Sequence, residues 1–220
     1  MVDHAKDVLD GQAVYNPRVL AGYDRTVLDL VCRYIWKSPK EPIVAGYTAN
    51  VGERHLEVGV GTAYFLDHCT FPVPDPKITL VDLNANTLEV GAARLARYAP
   101  QTVRANALEP LPVPAGSFDS FGTNYLLHCV PGDWDTKGAV FASAAAALRP
   151  GGRLFGATIL ARGVPVTLRA RLAMRALNSR GVFHNLTDDL PGLRAQLAKH
   201  FPDHTIEIRG CAAWFEATKS

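Results

Sequence analysis

The segment Glu57-Val58-Gly59-Val60-Gly61-Thr62-Ala63 sets a carboxylate two positions ahead of a pair of glycines. His55-Leu56-Glu57-Val58-Gly59 reads as a short buried strand. The glycines at its end lack a Cβ, so the backbone can bend sharply and bring its N–H groups against a ligand. The charge in front of them decides which ligand. Glu57 attracts an ammonium group and repels a pyrophosphate. The dinucleotide fingerprint G-x-G-x-x-G needs a third glycine where this chain has Tyr64. The loop therefore suits a ligand that joins a cationic amine to a nucleoside. Asp82 ends the next strand-like run, Lys77-Ile78-Thr79-Leu80-Val81-Asp82. Adjacent parallel strand ends lie side by side, so Asp82 faces the same crevice, where its carboxylate can accept both hydroxyls of a ribose. Asn84 can cap the following helix, which leaves Asp82 for the ligand.

The elements that must position these groups alternate. Asn16-Pro17 opens a helix to Trp36, with apolar residues Val19, Leu20, Tyr23, Val27, Leu30, Val31, Tyr34 and Ile35 at helical spacing. Prolines 39 and 42 interrupt it, and a short helix follows over Ile43–Asn50. After the two strands above, the spacing predicts a helix over Ala85–Tyr98. Further strands are expected at Thr102–Ala105, Phe118–Thr123 and Arg153–Leu160, with an alanine-rich helix over Lys137–Leu148. That rhythm implies an α/β fold with a parallel sheet and helices on both faces. The tail reads as helices over Val164–Asn178 and Asp188–His200, then a strand pair at Thr205–Cys211 and Ala213–Thr218, so an antiparallel strand is expected at the sheet edge. The whole chain reads as a single domain: a helical N-terminal lid (1–50), a cofactor-binding core (51–160), and C-terminal helices with a strand pair (161–220).

Composition narrows the partners. A hydrophobic fraction of 48% fits a globular core, and a net charge of +2 argues against a surface that coats nucleic acid. Cys32, Cys69, Cys129 and Cys211 are scattered without zinc spacing and read as reduced thiols of a cytoplasmic protein. No signal peptide, no membrane span and no membrane partner are expected: Met1 to Asp10 carries acids and no apolar core, and no apolar run reaches the roughly 18 residues a span needs.

Taken together, residues 52–160 resemble the class I S-adenosylmethionine-dependent methyltransferases. Glu57-x-Gly59-x-Gly61-x-Ala63 is similar to their first motif, with Ala63 in place of the usual third glycine. Asp82 matches their ribose-binding acid. Ala105-Asn106-Ala107 stands where the family often has Gly-Asp-Ala; Asn106 replaces the adenine-binding acid with a neutral acceptor. Phe118-Asp119-Ser120-Phe121 and Thr123-Asn124-Tyr125-Leu126-Leu127-His128 resemble the fourth-strand motif. Leu148-Arg149-Pro150-Gly151-Gly152 resembles the turn before the fifth strand. The resemblance implies a Rossmann-like seven-stranded sheet, mainly parallel, with its last strand antiparallel. It also implies S-adenosyl-L-methionine as cofactor, S-adenosyl-L-homocysteine as product, and a cofactor site formed by Glu57, Gly59, Gly61, Thr62, Asp82, Leu83, Asn106, Ala107, Thr123, Asn124, Tyr125 and Tyr23. The N-terminal segment is similar to that of small methyltransferases of secondary metabolism.

Methyl transfer needs a nucleophile held in line, about 3 Å from an electrophilic methyl group, and a general base only where the acceptor must lose a proton. His128, after the fourth strand, is the first candidate for a base, and His184, between two tail helices, is the second. Tyr15, Trp134 and Phe183 are expected to wall the substrate. No metal site is evident, since Asp133 and Asp135 read as caps of a helix start. A small-molecule acceptor with an oxygen nucleophile is expected, in a monomer or homodimer. N- or C-methylation and a non-catalytic S-adenosylmethionine binder are the alternatives. Base methylation of nucleic acid is disfavoured because Asn124-Tyr125-Leu126-Leu127 lacks the prolines that position a flipped base.

Overall fold

In the computed structural model, which describes residues 15–220, the seven strands are arranged in the order β3-β2-β1-β4-β5-β7-β6. They are β1 (Arg54–Val58), β2 (Lys77–Asp82), β3 (Gln101–Arg104), β4 (Phe118–Asn124), β5 (Leu148–Ile159), β6 (His204–Arg209) and β7 (Ala212–Thr218). The pairs from β3 across to β5 are parallel, and β7 runs antiparallel to both β5 and β6. The chain leaves β1 toward β2 on one side and returns to β4 on the other. That reversal opens a crevice at the carboxyl ends of β1, β2 and β4, the usual ligand position in open α/β sheets.

Helices cover both faces. On one side α5 (Trp134–Ala147) and α7 (Leu190–His200) bury Phe141, Leu193 and Leu197 against Leu56, Phe121 and Phe215 of the sheet. On the other, α2 (Lys40–Asn50), α3 (Tyr64–His68) and α4 (Ala85–Arg94) bury Ile43, Leu66 and Leu88 against Ile78, Leu80 and Phe155. Strands β1 and β2 and the part of β5 from Leu154 to Ile159 are buried along nearly their whole length, which is why they read as short, mostly apolar runs.

A third apolar cluster belongs to the lid. Helix α1 (Pro17–Tyr23) begins with Asn16 accepting the N–H groups of Arg18 and Val19. It continues into a wider, π-wound segment, Asp24–Trp36. Leu28, Cys32 and Trp36 of that segment pack with Ile159, Phe183, and Ala170 and Met174 of α6 (Leu168–Asn178). Several elements differ from expectation in length: α2 starts earlier, at Lys40, α4 ends at Arg94 rather than Tyr98, and α6 starts at Leu168 rather than Val164. Helix α5 starts at Trp134 because Asp133 accepts the Thr136 N–H. Strand β5 begins at Leu148 because pairing with β4 resumes across the Pro150-Gly151-Gly152 irregularity. Of the polar stretch expected over residues 1–15, residues 1–14 lie outside the described residues.

Candidate functional site

The crevice holds a cavity of ≈ 1130 Å³, open mouth included. Ten of the twelve expected cofactor residues other than Thr123 and Tyr23 come to it from the core: Glu57, Gly59, Gly61 and Thr62 after β1, Asp82 and Leu83 after β2, Asn106 and Ala107 after β3, and Asn124 and Tyr125 after β4. Tyr23, with Tyr15 and Leu28, closes it from the lid.

The glycine loop is held open by its backbone. Gly59 and Gly61 have φ of +83° and +54°, and Ala63 also sits at φ +54°. A non-glycine residue in that region costs about 1–3 kcal/mol. The facing helix has Gly91 there, which lets it pack closely on the loop. A Cβ on Gly91 would lie 2.6 Å from Val60 Cγ1 and 3.4 Å from the Ala63 Cβ. The loop is also tied to the next strand. Val60 N–H donates to Asp82 Oδ2 at 2.9 Å, and Asn84 N–H to Asp82 Oδ1 at 2.9 Å. As expected, the Asn84 side chain caps α4. Each Asp82 oxygen keeps a further lone pair toward the cavity. Burial pushes the Asp82 carboxyl above the usual range, and the N–H donors oppose that shift.

Glu57 is 4% exposed. Its Oε1 accepts the Tyr47 hydroxyl at 2.6 Å and its Oε2 meets His55 Nε2 at 2.9 Å. His55 Nδ1 in turn meets Ser120 Oγ at 2.8 Å, and that oxygen already accepts the Gly52 N–H. An ionised Glu57 can only accept, so Nε2 carries its proton toward that carboxylate, and in the neutral ring Nδ1 accepts from the Ser120 hydroxyl. Opposite Glu57 on β4, Gly122 leaves space that a Cβ would close, 2.3 Å from Oε2. This buried carboxylate, fed by a phenol and an imidazole, faces the cavity. A buried charge is costly without an opposite one, so the site fits a ligand with an ammonium or sulfonium centre.

The lid is fastened to the loop. Thr62 gives its hydroxyl to Asp24 Oδ1 at 2.6 Å, and Arg94 of α4 reaches Asp24 Oδ2 at 2.6 Å. The Thr62 side chain therefore serves the lid rather than a ligand. Asn106 likewise spends one lone pair of Oδ1 on the Leu108 N–H. Tyr125 leaves β4 at φ +58°, and its hydroxyl donates to Ser38 Oγ at 3.0 Å, which also accepts from Trp214 Nε1. Tyr15 and Tyr23 stack obliquely, with centroids 6.0 Å apart. The Tyr15 hydroxyl lies 3.7 Å from Cys129 Sγ. The nearby Cys129 charge and burial raise the Tyr15 phenol, and burial raises Tyr23. Burial also pushes the Cys129 thiol up to about 11. All three are neutral donors at ordinary pH.

Five expected residues do not line this cavity. Thr123 is wholly buried within β4, its hydroxyl without a partner. Trp134 packs at the start of α5 over Gly192, whose Cβ would sit 2.0 Å from the ring. Phe183 packs edge-on against His128 at 4.4 Å and against Trp36. His128 is 4% exposed, and its Nδ1 accepts the Ile159 N–H at 3.2 Å. The ring proton then sits on Nε2 and neither nitrogen offers a free lone pair. Burial, assisted by Lys137, holds its pKa down to about 3. His184 is locked in a loop: its N–H donates to His128 O, its carbonyl accepts Lys137 Nζ, and its Nε2 meets Gly181 O at 3.2 Å. The base role expected of either histidine has no support in this arrangement.

Other parts of the arrangement were not anticipated. Tyr47, His55 and Ser120 form the support of Glu57; the i, i+4 pair Ile43 and Tyr47 marked the buried face of α2 but not its hydroxyl. Asp24 and Arg94 are ordinary helix-surface residues by spacing. Lys137 and Asp188 make a fully buried ion pair, at 2.6 and 2.8 Å, that anchors the loop before α7 to α5. Leu126, Cys129, Val130 and Pro131 wall the cavity beside the lid.

Comparison with known proteins agrees with this geometry. A family model described as a methyltransferase domain matches residues 56–154. The chain is 49% identical over 217 residues, 98% of its length and 94% of the relative's, to demethylluteothin O-methyltransferase of Streptomyces thioluteus. It is 35% identical to the physcion biosynthesis cluster O-methyltransferase of Aspergillus chevalieri, over 95% of each chain. The fold matches that of N-methyltransferase NodS from Bradyrhizobium japonicum WM9, solved with S-adenosyl-L-homocysteine, with a TM-score of 0.64, 13% identity, and 96% and 98% of the two chains covered. The chain belongs to the class I S-adenosylmethionine-dependent methyltransferases that act on small molecules.

Proposed function

We propose that the chain methylates an oxygen atom of a small, largely apolar acceptor held beneath the lid. The observation that carries this reading is one cavity with two kinds of lining. Glu57 and Asp82 stand at neighbouring strand ends around the glycine loop, and Leu28, Val130 and Pro131 add apolar wall to the same cavity. When bound, S-adenosylmethionine supplies an electrophilic methyl on a sulfonium. Glu57 would face its ammonium, Asp82 its ribose hydroxyls, and Asn106 and Ala107 its adenine edge. The lid residues Tyr15, Tyr23 and Leu28 would orient the acceptor and exclude water, which is where most of the acceleration of such a transfer arises. The neutral phenols and thiol there can donate hydrogen bonds to an acceptor oxygen; a cationic amine would meet no carboxylate on that wall. The O-methyltransferase relatives support oxygen over nitrogen. A cytoplasmic setting is in keeping with four cysteines free of disulfides, and activity is expected to survive EDTA.

The test is incubation with S-adenosylmethionine and a panel of phenols, enols, amines and thiols, followed by mass spectrometry of S-adenosyl-L-homocysteine and methylated product. O-methyl ethers formed in step with S-adenosyl-L-homocysteine are expected. Preferential N- or C-methyl products would overturn the oxygen assignment, and cofactor binding without turnover across the panel would favour a non-catalytic binder.

A further inference from the structure

The stretch 161–187 contains five arginines and not one acid, in a chain whose net charge is only +2. Arg162, Arg169, Arg171, Arg175 and Arg180 are all exposed. Some arginines elsewhere are ion-paired: Arg33 with Glu41, Arg97 with Asp67, Arg149 with Asp119, Arg209 with Glu207. These five guanidinium groups make no ion pair among the described residues. The next acids in the chain are already committed, Asp188 to Lys137 and Asp189 to the cap of α7.

Helix α6 arranges this charge around apolar side chains. Ala170 and Met174 face inward, 1% exposed each. On the opposite side Leu168 and Leu172, one turn apart, are 69% and 56% exposed. At 100° per residue, Arg169 flanks that pair on one side and Arg171 and Arg175 on the other, with Arg162 before the helix and Arg180 after it. An outward apolar centre ringed by arginines is the pattern of a helix that lies in a lipid–water interface, its leucines below the headgroups and its guanidiniums among anionic phosphates. A second copy of the chain docked by this face on its twofold-related equivalent would set arginine against arginine, and phosphates of a nucleic acid would leave the leucines without apolar contact.

We propose that the outer face of α6 docks the protein peripherally on an anionic lipid surface. This departs from the expectation of no membrane partner, which rested on spanning segments; among the described residues no helix is long and apolar enough to cross a membrane, and surface docking needs none. The assignment is independent of the acceptor's identity.

Co-sedimentation of the full chain with vesicles of phosphatidylcholine, and of phosphatidylcholine mixed with phosphatidylglycerol, tests it. Binding is expected to the mixed vesicles, weak to phosphatidylcholine alone, and to fall with added salt. Arg169→Gln with Arg171→Gln and Arg175→Gln is expected to lower the partition about a hundredfold, at roughly a fivefold loss per charge. Leu168→Ser with Leu172→Ser is expected to lower it about tenfold while keeping the salt dependence. Both variants should retain wild-type circular dichroism and S-adenosyl-L-methionine affinity. Failure of the wild type to bind mixed vesicles at low salt, or unchanged binding by the arginine variant, overturns the proposal. Retention on poly-glutamate resin without vesicle binding also overturns it, assigning the face to an acidic protein instead.

Discussion

Replacing Asp82 with alanine should injure stability and cofactor binding together, because its carboxylate has two sets of partners. Its oxygens already accept the Val60 and Asn84 N–H groups, both at 2.9 Å. Hydrogen bonds to a charged acceptor contribute about 1.5–3 kcal/mol each, less where water can replace the acceptor. For a half-buried group, a loss of roughly 2–4 kcal/mol is expected, a fall in Tm of about 5–15 °C for a domain of this size. Loss of the ribose contacts adds about 1–3 kcal/mol to binding, roughly a 5- to 150-fold rise in Kd for S-adenosylmethionine. Calorimetric titration and differential scanning calorimetry read the two effects separately, and Asp82→Asn, which keeps one acceptor oxygen, should fall between. The pH dependence gives a second check. The Asp82 carboxyl is raised by burial, so its contribution to the stability of the free protein is present at low pH and lost as pH rises through that value. Ligand hydroxyls need the ionised form, so affinity moves the other way and falls as pH drops through the same range. An unchanged Kd in Asp82→Ala would remove the residue from the site, and an unchanged Tm would refute its role as the tether of the glycine loop.

Other outcomes follow from the same geometry. His128→Asn, which can still accept the Ile159 N–H, should leave the acid limb of the pH–rate profile in place; loss of that limb would restore a base role. The depressed His128 pKa of about 3 contributes stability that is full above about 6.5 and is lost as pH falls toward 3, a trend that a urea titration series in wild type and variant can read. Lys137→Met alone should cost about 3–5 kcal/mol by stranding the buried Asp188, whereas Lys137→Met with Asp188→Leu should recover most of it; denaturant melts of the three proteins decide. Gly91→Ala places a methyl 2.6 Å from Val60 Cγ1 and should weaken cofactor binding, with a stability loss of about 1–3 kcal/mol from overpacking; an unaltered Kd would show that the loop does not lean on α4.

What could be read in the sequence was whatever local chemistry decides. Short apolar runs, one ended by glycine and the other by an acid, marked β1 and β2, so the positions of Glu57 and Asp82 followed from adjacency alone, and the Asn84 and Asp133 caps were visible from residue type. The partners of Glu57 were not, because Tyr47 and Ser120 meet it only after α2 and β4 fold onto β1. The surroundings of the histidines were hidden for a related reason. A histidine after β4 has a suitable address for a base, but its ring is turned inward by the Ile159 N–H, a contact made 31 residues downstream. Trp134 and Phe183 were drawn to the pocket by their size, and size equally suits the interior they occupy. The arginines of α6 were present in the sequence all along. A near-neutral total concealed their segregation.

The Asp24 junction with Thr62 and Arg94 makes the roof and the floor of the cavity one mechanical unit. A nucleoside seated in that bend would meet a segment, bearing Tyr23 and Leu28, that one carboxylate and one guanidinium hold in place, so its exchange is expected to quicken as added salt weakens that pair.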